Sequence, residues 1–186
     1  MPFIFLAALL LPLLPPAGDS AAETPSFFEL RGSVNGGTSL QDLKSESYGA
    51  KLLPTVGGSL SIFMKRKRAL NYGIEFSYDH NFQSNDKNYY YYSSYERLGF
   101  TPLVELSLFG RGPRLYVSGG LGANIAFSGY TTKAYVASRV GTEIRFQKSV
   151  FHGILVSYSH GFLSDYRAFE TFRASVVFRL LDRELR

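Results

Sequence analysis

Alternation of apolar and polar residues is the feature that most limits how this chain folds. In 70–79, Leu70, Ile74 and Phe76 share one face, and the residues between them are mostly polar. A side-chain period of two is the period of a β-strand, because successive side chains point to opposite faces. The pattern recurs in eight segments, at about 27–35, 55–64, 70–79, 95–108, 114–125, 136–146, 154–159 and 172–180.

The length and number of these segments predict how they are arranged. A strand that crosses a membrane needs about 9–11 residues, and an even number of strands brings both chain ends to one side. We therefore predict an all-β fold, an eight-stranded antiparallel up-and-down transmembrane β-barrel. The connections fit that order, with short turns at 65–69, 110–113 and 147–149 alternating with longer or modest loops at 36–54, 80–94, 129–133 and 161–168.

The start of the chain has a different character. Residues 3–14 are almost entirely apolar, too few to span a bilayer as a helix, and small residues follow. This pattern indicates a cleavable signal peptide, residues 1–22, with the cut after Ala22 or, as second choice, after Ala17. The remaining residues, 23–186, are predicted to form one barrel domain with no linker, internal repeat or second domain.

The polar faces of the strands carry the candidate functional residues. If the apolar faces meet lipid, the opposite faces must fill the narrow lumen of the barrel, where acids and arginines have to neutralise one another. Arginine suits such a place because it pairs with carboxylates in a bidentate manner. The predicted lumen charges are Glu29, Arg31, Glu75, Asp79, Arg97, Glu105, Arg114, Arg139, Glu143, Arg145, Arg173 and Arg179.

Two further groups of residues are candidates for contact with the surroundings. The aromatic run Tyr89, Tyr90, Tyr91, Tyr92 and Tyr95 is predicted to anchor the barrel at the outer membrane interface or to bind a ligand there. Phe63 and Tyr135 are assigned to the two aromatic belts. The basic turn Lys65, Arg66, Lys67 and Arg68 is predicted either to be a solvated turn or to hold anionic lipid headgroups.

Composition narrows the chemistry. The chain has no Cys and three His, so we expect no metal site and no cofactor, and its net charge of +5 is too scattered for a nucleic-acid partner. One set of residues could serve an acyl hydrolase, namely Ser157, Ser159, His160, Ser164 and Asp165. On a strand, however, Ser159 and His160 point to opposite faces, which argues against a dyad between them.

With its leader, its eight alternating segments, its Glu/Arg lattice and the segment FRASVVFRL at 172–180, the chain resembles small outer-membrane β-barrel proteins of the OmpA and OmpX type. The resemblance implies a monomer in the outer membrane of a Gram-negative bacterium, with a structural or surface-interaction role and at most low-conductance ion passage. It also implies as partners the membrane lipids, lipopolysaccharide, the barrel assembly machinery and an extracellular ligand. The alternatives are a membrane-embedded lipid A acyl hydrolase and a soluble periplasmic lipocalin-like carrier.

Overall fold

A computed structural model describes residues 26–43, 50–65, 70–82, 94–108, 114–127, 132–146 and 151–185. These residues form eight strands, and within them no helix is long and apolar enough to cross a membrane. The strands are β1 (Ser26–Leu43), β2 (Lys51–Lys65), β3 (Leu70–Asn81), β4 (Tyr95–Ser107), β5 (Arg114–Phe127), β6 (Thr132–Arg145), β7 (Phe151–Phe162) and β8 (Tyr166–Leu185). The predicted leader lies outside the described residues and stays a prediction.

Each strand pairs antiparallel with the next one along the chain, and β8 pairs with β1 to close the barrel. Closure leaves no unpaired sheet edge, so the backbone hydrogen bonds are satisfied within the wall. We call the end where β1 starts and β8 ends the terminal end, and the opposite end the loop end. The predicted fold class, a closed eight-stranded antiparallel barrel, is confirmed.

All strands except β4 are longer than the sequence pattern indicates. The predicted loop 36–54 is wrong at both sides, because β1 continues to Leu43 and β2 begins at Lys51. Gly36 and Gly37 interrupt the apolar alternation there, but they pair in register with β2 and β8. Ladder hydrogen bonds form whatever the side chains are, so pairing extends past the amphipathic part of a strand.

Pro102 marks the predicted weak point of β4. The ladder between β4 and β5 is continuous from Glu96 to Phe100 and resumes at Val104, whereas on its other side Pro102 still pairs with Ile74 of β3. Proline lacks the N–H that the missing bridge requires. The predicted weak pairing is therefore confirmed, and it is confined to one seam.

The outside of the barrel is apolar. On β3, the outward residues Tyr72, Ile74, Phe76 and Tyr78 are each about 40% exposed or more. From Leu70 to Tyr78 this surface extends about 27 Å along the strand, or about 20 Å along the axis of a barrel whose strands tilt by about 40°. That height is close to the apolar band of about 25 Å found on membrane-spanning barrels.

Gly37 sits where the wall of β1 and β8 leaves no room for a side chain. A Cβ at this position would overlap the carbonyl oxygen of Phe172, a backbone atom, whereas a Cβ at neighbouring Gly36 would meet nothing within 4 Å. A backbone atom in a paired strand cannot move aside as the end of a flexible side chain does. The close approach therefore requires glycine at position 37 and not at 36.

We expect Gly37→Ala to destabilise the folded barrel by about 1–3 kcal/mol through overpacking, and Gly36→Ala to change it by less than about 0.5 kcal/mol. Urea unfolding of the refolded protein in detergent, read as loss of the folded band on unheated gels, measures both variants. Equal unfolding midpoints for the two variants would contradict this account.

Candidate functional site

The inward faces of the strands bring most of the predicted charges together in the lumen. Ten of the twelve predicted lumen residues are buried, with less than 9% of their surface exposed, namely Glu29, Arg31, Glu75, Asp79, Arg97, Glu105, Arg139, Glu143, Arg145 and Arg173. They come from five of the eight strands, β1, β3, β4, β6 and β8. Strand alternation points these side chains inward, because each has an apolar residue next to it along the chain and that residue points outward.

Glu105 is the centre of a cluster near the terminal end. Its carboxylate accepts a hydrogen bond from Nη1 of Arg31 at 2.8 Å and from Nη1 of Arg145 at 3.0 Å, and a third from Nδ2 of Asn71 at 2.8 Å. Nη2 of Arg145 also reaches Oε2 of Glu143 at 2.7 Å. Two guanidinium groups therefore share one carboxylate, which offsets much of the cost of burying all three charges.

Aromatic rings cover the two arginines of this cluster. The guanidinium carbon of Arg31 lies 4.1 Å from the ring centre of Phe63, and that of Arg145 lies 3.5 Å from the ring centre of Tyr116. The belt assignment of Phe63 is therefore wrong. Phe63 points into the lumen, on the same face of β2 as Ser61. Its ring makes a cation–π contact with the buried guanidinium group of Arg31.

His152 belongs to the same cluster, and the sequence analysis did not select it. Nε2 of His152 lies 3.3 Å from Oε1 of Glu29, and Nδ1 lies 3.1 Å from Nη2 of Arg179. Strict alternation would place His152 on the outward face with Ile154. A register shift between Phe151 and Gly153 turns it inward instead, and the adjacent glycine is the sequence signal for such a bulge.

Glu75 and Arg139 form a second pair halfway along the lumen. Nη2 of Arg139 lies 3.0 Å from Oε2 of Glu75, which also accepts hydrogen bonds from the hydroxyl groups of Ser59 and Ser61 at 3.4 and 3.5 Å. A cavity of about 20 Å³ lies between this pair and the Glu105 cluster. That volume has room for about one water molecule.

Asp79 holds two arginines nearer the loop end. Its Oδ2 accepts hydrogen bonds from Nη2 of Arg97 and from Nη2 of Arg173, each at 2.7 Å. Nη1 of Arg97 continues to the hydroxyl of Thr171 at 2.9 Å. This cluster carries one positive charge more than its single carboxylate can balance.

An apolar group lies beyond Asp79, toward the loop end. Tyr135 meets the ring of Phe169 edge-on at 5.2 Å, Tyr95 lies 6.0 Å from the same ring, and Leu53 and Ala137 complete the group. The hydroxyl of Tyr95 lies 3.1 Å from that of Ser39. The assignments of Tyr95 and Tyr135 to an interfacial belt are wrong, because both occupy inward positions of their strands.

Two predicted lumen charges stand apart from the buried set. Arg114 is exposed, which corrects its assignment to the lumen: it begins β5, and a side chain at a strand end is not enclosed by neighbours. Arg179 is half-buried, next to a register shift between β1 and β8, where its Nε lies 3.3 Å from Oε1 of Glu29.

Some of the predicted site residues belong to the turns and loops between strands. Tyr89–Tyr92 and Arg66–Arg68 lie outside the described residues, as does the side chain of Lys65. Their roles at the membrane interface and toward anionic lipid stay predictions. Among the residues that the structure describes, no group of three or more His, Asp or Glu side chains has the arrangement of a metal site.

The serines proposed for hydrolase chemistry do not gather around His160. Ser157 and Ser159 are buried in the lumen, whereas His160 is on the outward face. The hydroxyl of Ser164 hydrogen-bonds to Oδ1 of Asp165 at 3.2 Å, and Asp165 pairs with Lys133. Ser157 and Ser159 therefore do not form a dyad with His160.

We expect Glu105→Gln to destabilise the barrel by about 3 kcal/mol or more, because two buried guanidinium groups lose the carboxylate that they share. The matched control is Asp165→Asn, which breaks the exposed pair with Lys133, 2.7 Å long, and should cost less than about 1 kcal/mol. Urea unfolding in phospholipid vesicles, read by circular dichroism, compares them. A loss for Glu105→Gln no larger than that of the control would mean that the lattice does not stabilise the fold.

The fold is that of known small membrane barrels. No protein-family model matches the chain, and no curated protein sequence matches it. Among solved structures, the chain is similar to Neisserial surface protein A, with 11% identity over 83% of this chain and 97% of that one, at a TM-score of 0.55. It also matches the attachment invasion locus protein Ail of Yersinia pestis (16% identity, 82% and 99% covered, TM-score 0.49) and the outer membrane protein OprG of Pseudomonas aeruginosa (10%, 87% and 95%, 0.47). At this level of identity the likeness shows the architecture, and the chain has the fold of the small eight-stranded outer-membrane barrels.

Proposed function

We propose that this chain is an outer-membrane protein with a structural or surface-interaction role and a lumen closed to solutes. The observation that carries the proposal is the reversal of polarity between its two faces. Val34, Val140 and Val156 on the outside are more than half exposed, while ten charged side chains are buried inside. Exposure of this apolar surface to water is unfavourable, whereas contact with the hydrocarbon chains of a membrane is favourable.

The same reversal argues against a soluble carrier. A lipocalin-like barrel keeps an apolar interior for its ligand and a charged exterior for solubility. Here Glu105, Arg145 and Arg97 are inside, and the cavity beside them has a volume of about 20 Å³. An apolar ligand has neither the space nor the surroundings that it needs there.

A filled lumen also limits transport. Any solute would have to separate the ion pairs around Glu105, Glu75 and Asp79, which block the lumen at three heights. The role of the protein therefore lies with its outer surface and its connections at the loop end. Passage of single small ions through rearranged pairs is the most that this lumen supports.

The membrane orientation of the two faces is testable because the chain has no natural Cys. Single cysteines at outward Ile74 and Val156 and at inward Ser77 and Ser157 can be spin-labelled in reconstituted vesicles. We expect the labels at the outward positions to collide with oxygen dissolved in lipid, and those at the inward positions to be immobile and shielded. Outward labels that meet a water-soluble relaxation agent instead would contradict the proposal.

Closure of the lumen predicts a second result. Liposomes that contain the protein should swell in an iso-osmotic pentose solution no faster than liposomes without it, while a general porin serves as positive control. Planar-bilayer recordings should show at most small conductance steps. Swelling at the rate of the porin would refute the closed lumen without affecting the orientation measured by the labels.

A further inference from the structure

One short sequence motif occurs twice in the chain. Residues 77–82 and 157–162 both read S-Y-x-H-x-F. The copies lie at the loop ends of β3 and β7, which are on opposite sides of the closed barrel. In both copies Tyr, His and Phe are on the outward face, so two similar polar sites face the membrane at its edge.

Each histidine stands directly opposite a glutamate of the next strand, His80 opposite Glu96 and His160 opposite Glu170. Nδ1 of His160 lies 3.7 Å from Oε1 of Glu170. Tyr158, two residues before His160, is on the same outward face of β7. The ring of Phe162 meets that of His160 edge-on at 4.9 Å. The histidine is thereby oriented by two strands.

The two sites differ at the strand on the other side of the histidine. His160 pairs in register with Ser138 of β6, whereas His80 pairs with Val56 of β2. Ser138 is half-buried between the exposed residues Val136 and Val140, so it too is on the outward face. Ser138, His160 and Glu170 thus form one row across three neighbouring strands.

We propose that Ser138, His160 and Glu170 form a hydrolase site for ester-linked acyl chains of membrane lipids. Ser138 and His160 are directly opposed across β6 and β7, and such residues of antiparallel strands have Cβ atoms about 4.5–5.5 Å apart, so the two side chains are neighbours on the outer surface. Nδ1 of His160 faces Glu170, so Nε2 is the ring atom left to accept the proton of Ser138. This is the order of nucleophile, base and orienting acid that serine hydrolases require.

The surroundings of the row select a lipid as substrate. Leu121 and Leu40 continue the row on either side, and Val140 and Phe172 lie toward the middle of the apolar band. The row therefore lies near the loop-side edge of the hydrophobic surface. An acyl chain fits along that surface with its ester carbonyl at the level of the row, because lipid esters lie where the hydrocarbon meets the headgroups.

The reaction balances with water as the only co-reactant. Oγ of Ser138 attacks the ester carbonyl carbon while its proton passes to Nε2 of His160. Cleavage of the bond between the acyl carbon and the alcohol oxygen returns that proton to the leaving alcohol and leaves an acyl-serine. Water then attacks the acyl-serine, His160 accepts one of its protons and passes it to Oγ, and a free fatty acid departs.

The test uses the purified full-length chain in vesicles. A lipophilic fluorophosphonate should label Ser138, identified by peptide mass spectrometry. Released fatty acids are measured with phosphatidylglycerol vesicles in one arm and lipopolysaccharide in the other, which separates a phospholipid ester from a glycolipid ester. We expect Ser138→Ala to abolish labelling and release, and His160→Gln and Glu170→Gln each to lower the rate of release by about 100-fold or more.

The second copy of the motif, at His80 and Glu96, supplies the matched controls. His80→Gln and Glu96→Gln remove the same groups from the site that has Val56 in place of serine, and they should leave the rate within about twofold. All these side chains are on the outer surface, and unheated gels verify that each variant folds. Absence of label at Ser138 in the folded wild-type chain, or equal losses in the two sets of variants, would overturn the proposal. Neither outcome changes the membrane orientation that the spin labels report.

Discussion

The pairing of carboxylates with arginines inside the barrel is the interaction on which the rest of the structure depends. In a closed sheet whose outer surface is apolar, the polar faces of the strands must point into the lumen. A lone charge in such a lumen would cost several kcal/mol, so each must meet a partner. Glu105 does this for Arg31 and Arg145, and Asp79 does it for Arg97 and Arg173.

Filling the lumen in this way has consequences for the wall. The long arginine side chains occupy space inside the barrel. The strands around them must nevertheless stay close enough to remain hydrogen-bonded to each other. Gly37 allows such an approach between β1 and β8, and the bulge at His152 turns the imidazole of that residue inward, toward Glu29. The charged residues of the interior are therefore held in ion pairs that join several strands.

The two His–Glu pairs, His80 with Glu96 and His160 with Glu170, lie on the outer surface of the barrel and not in the lumen. Polar side chains on a lipid-facing surface are costly unless they lie near the interface, and both pairs stand close to the loop end of their strands. They share tyrosine and phenylalanine neighbours but differ in Ser138 and Val56. Of the two sites, only the one at His160 has a serine beside the histidine.

The sequence by itself determined the strand count, the antiparallel order and the inward direction of ten charges, because a period of two assigns each residue to a face without reference to its partners. Only the tertiary structure decided which charges pair, since Arg31 and Glu105 are on different strands and meet through closure and stagger. It also reversed the placement of Tyr95, Tyr135 and Phe63, whose type suggested a belt but whose alternation places them inside. The row of Ser138, His160 and Glu170 depends on register across three strands, and strand register is set by the assembled barrel.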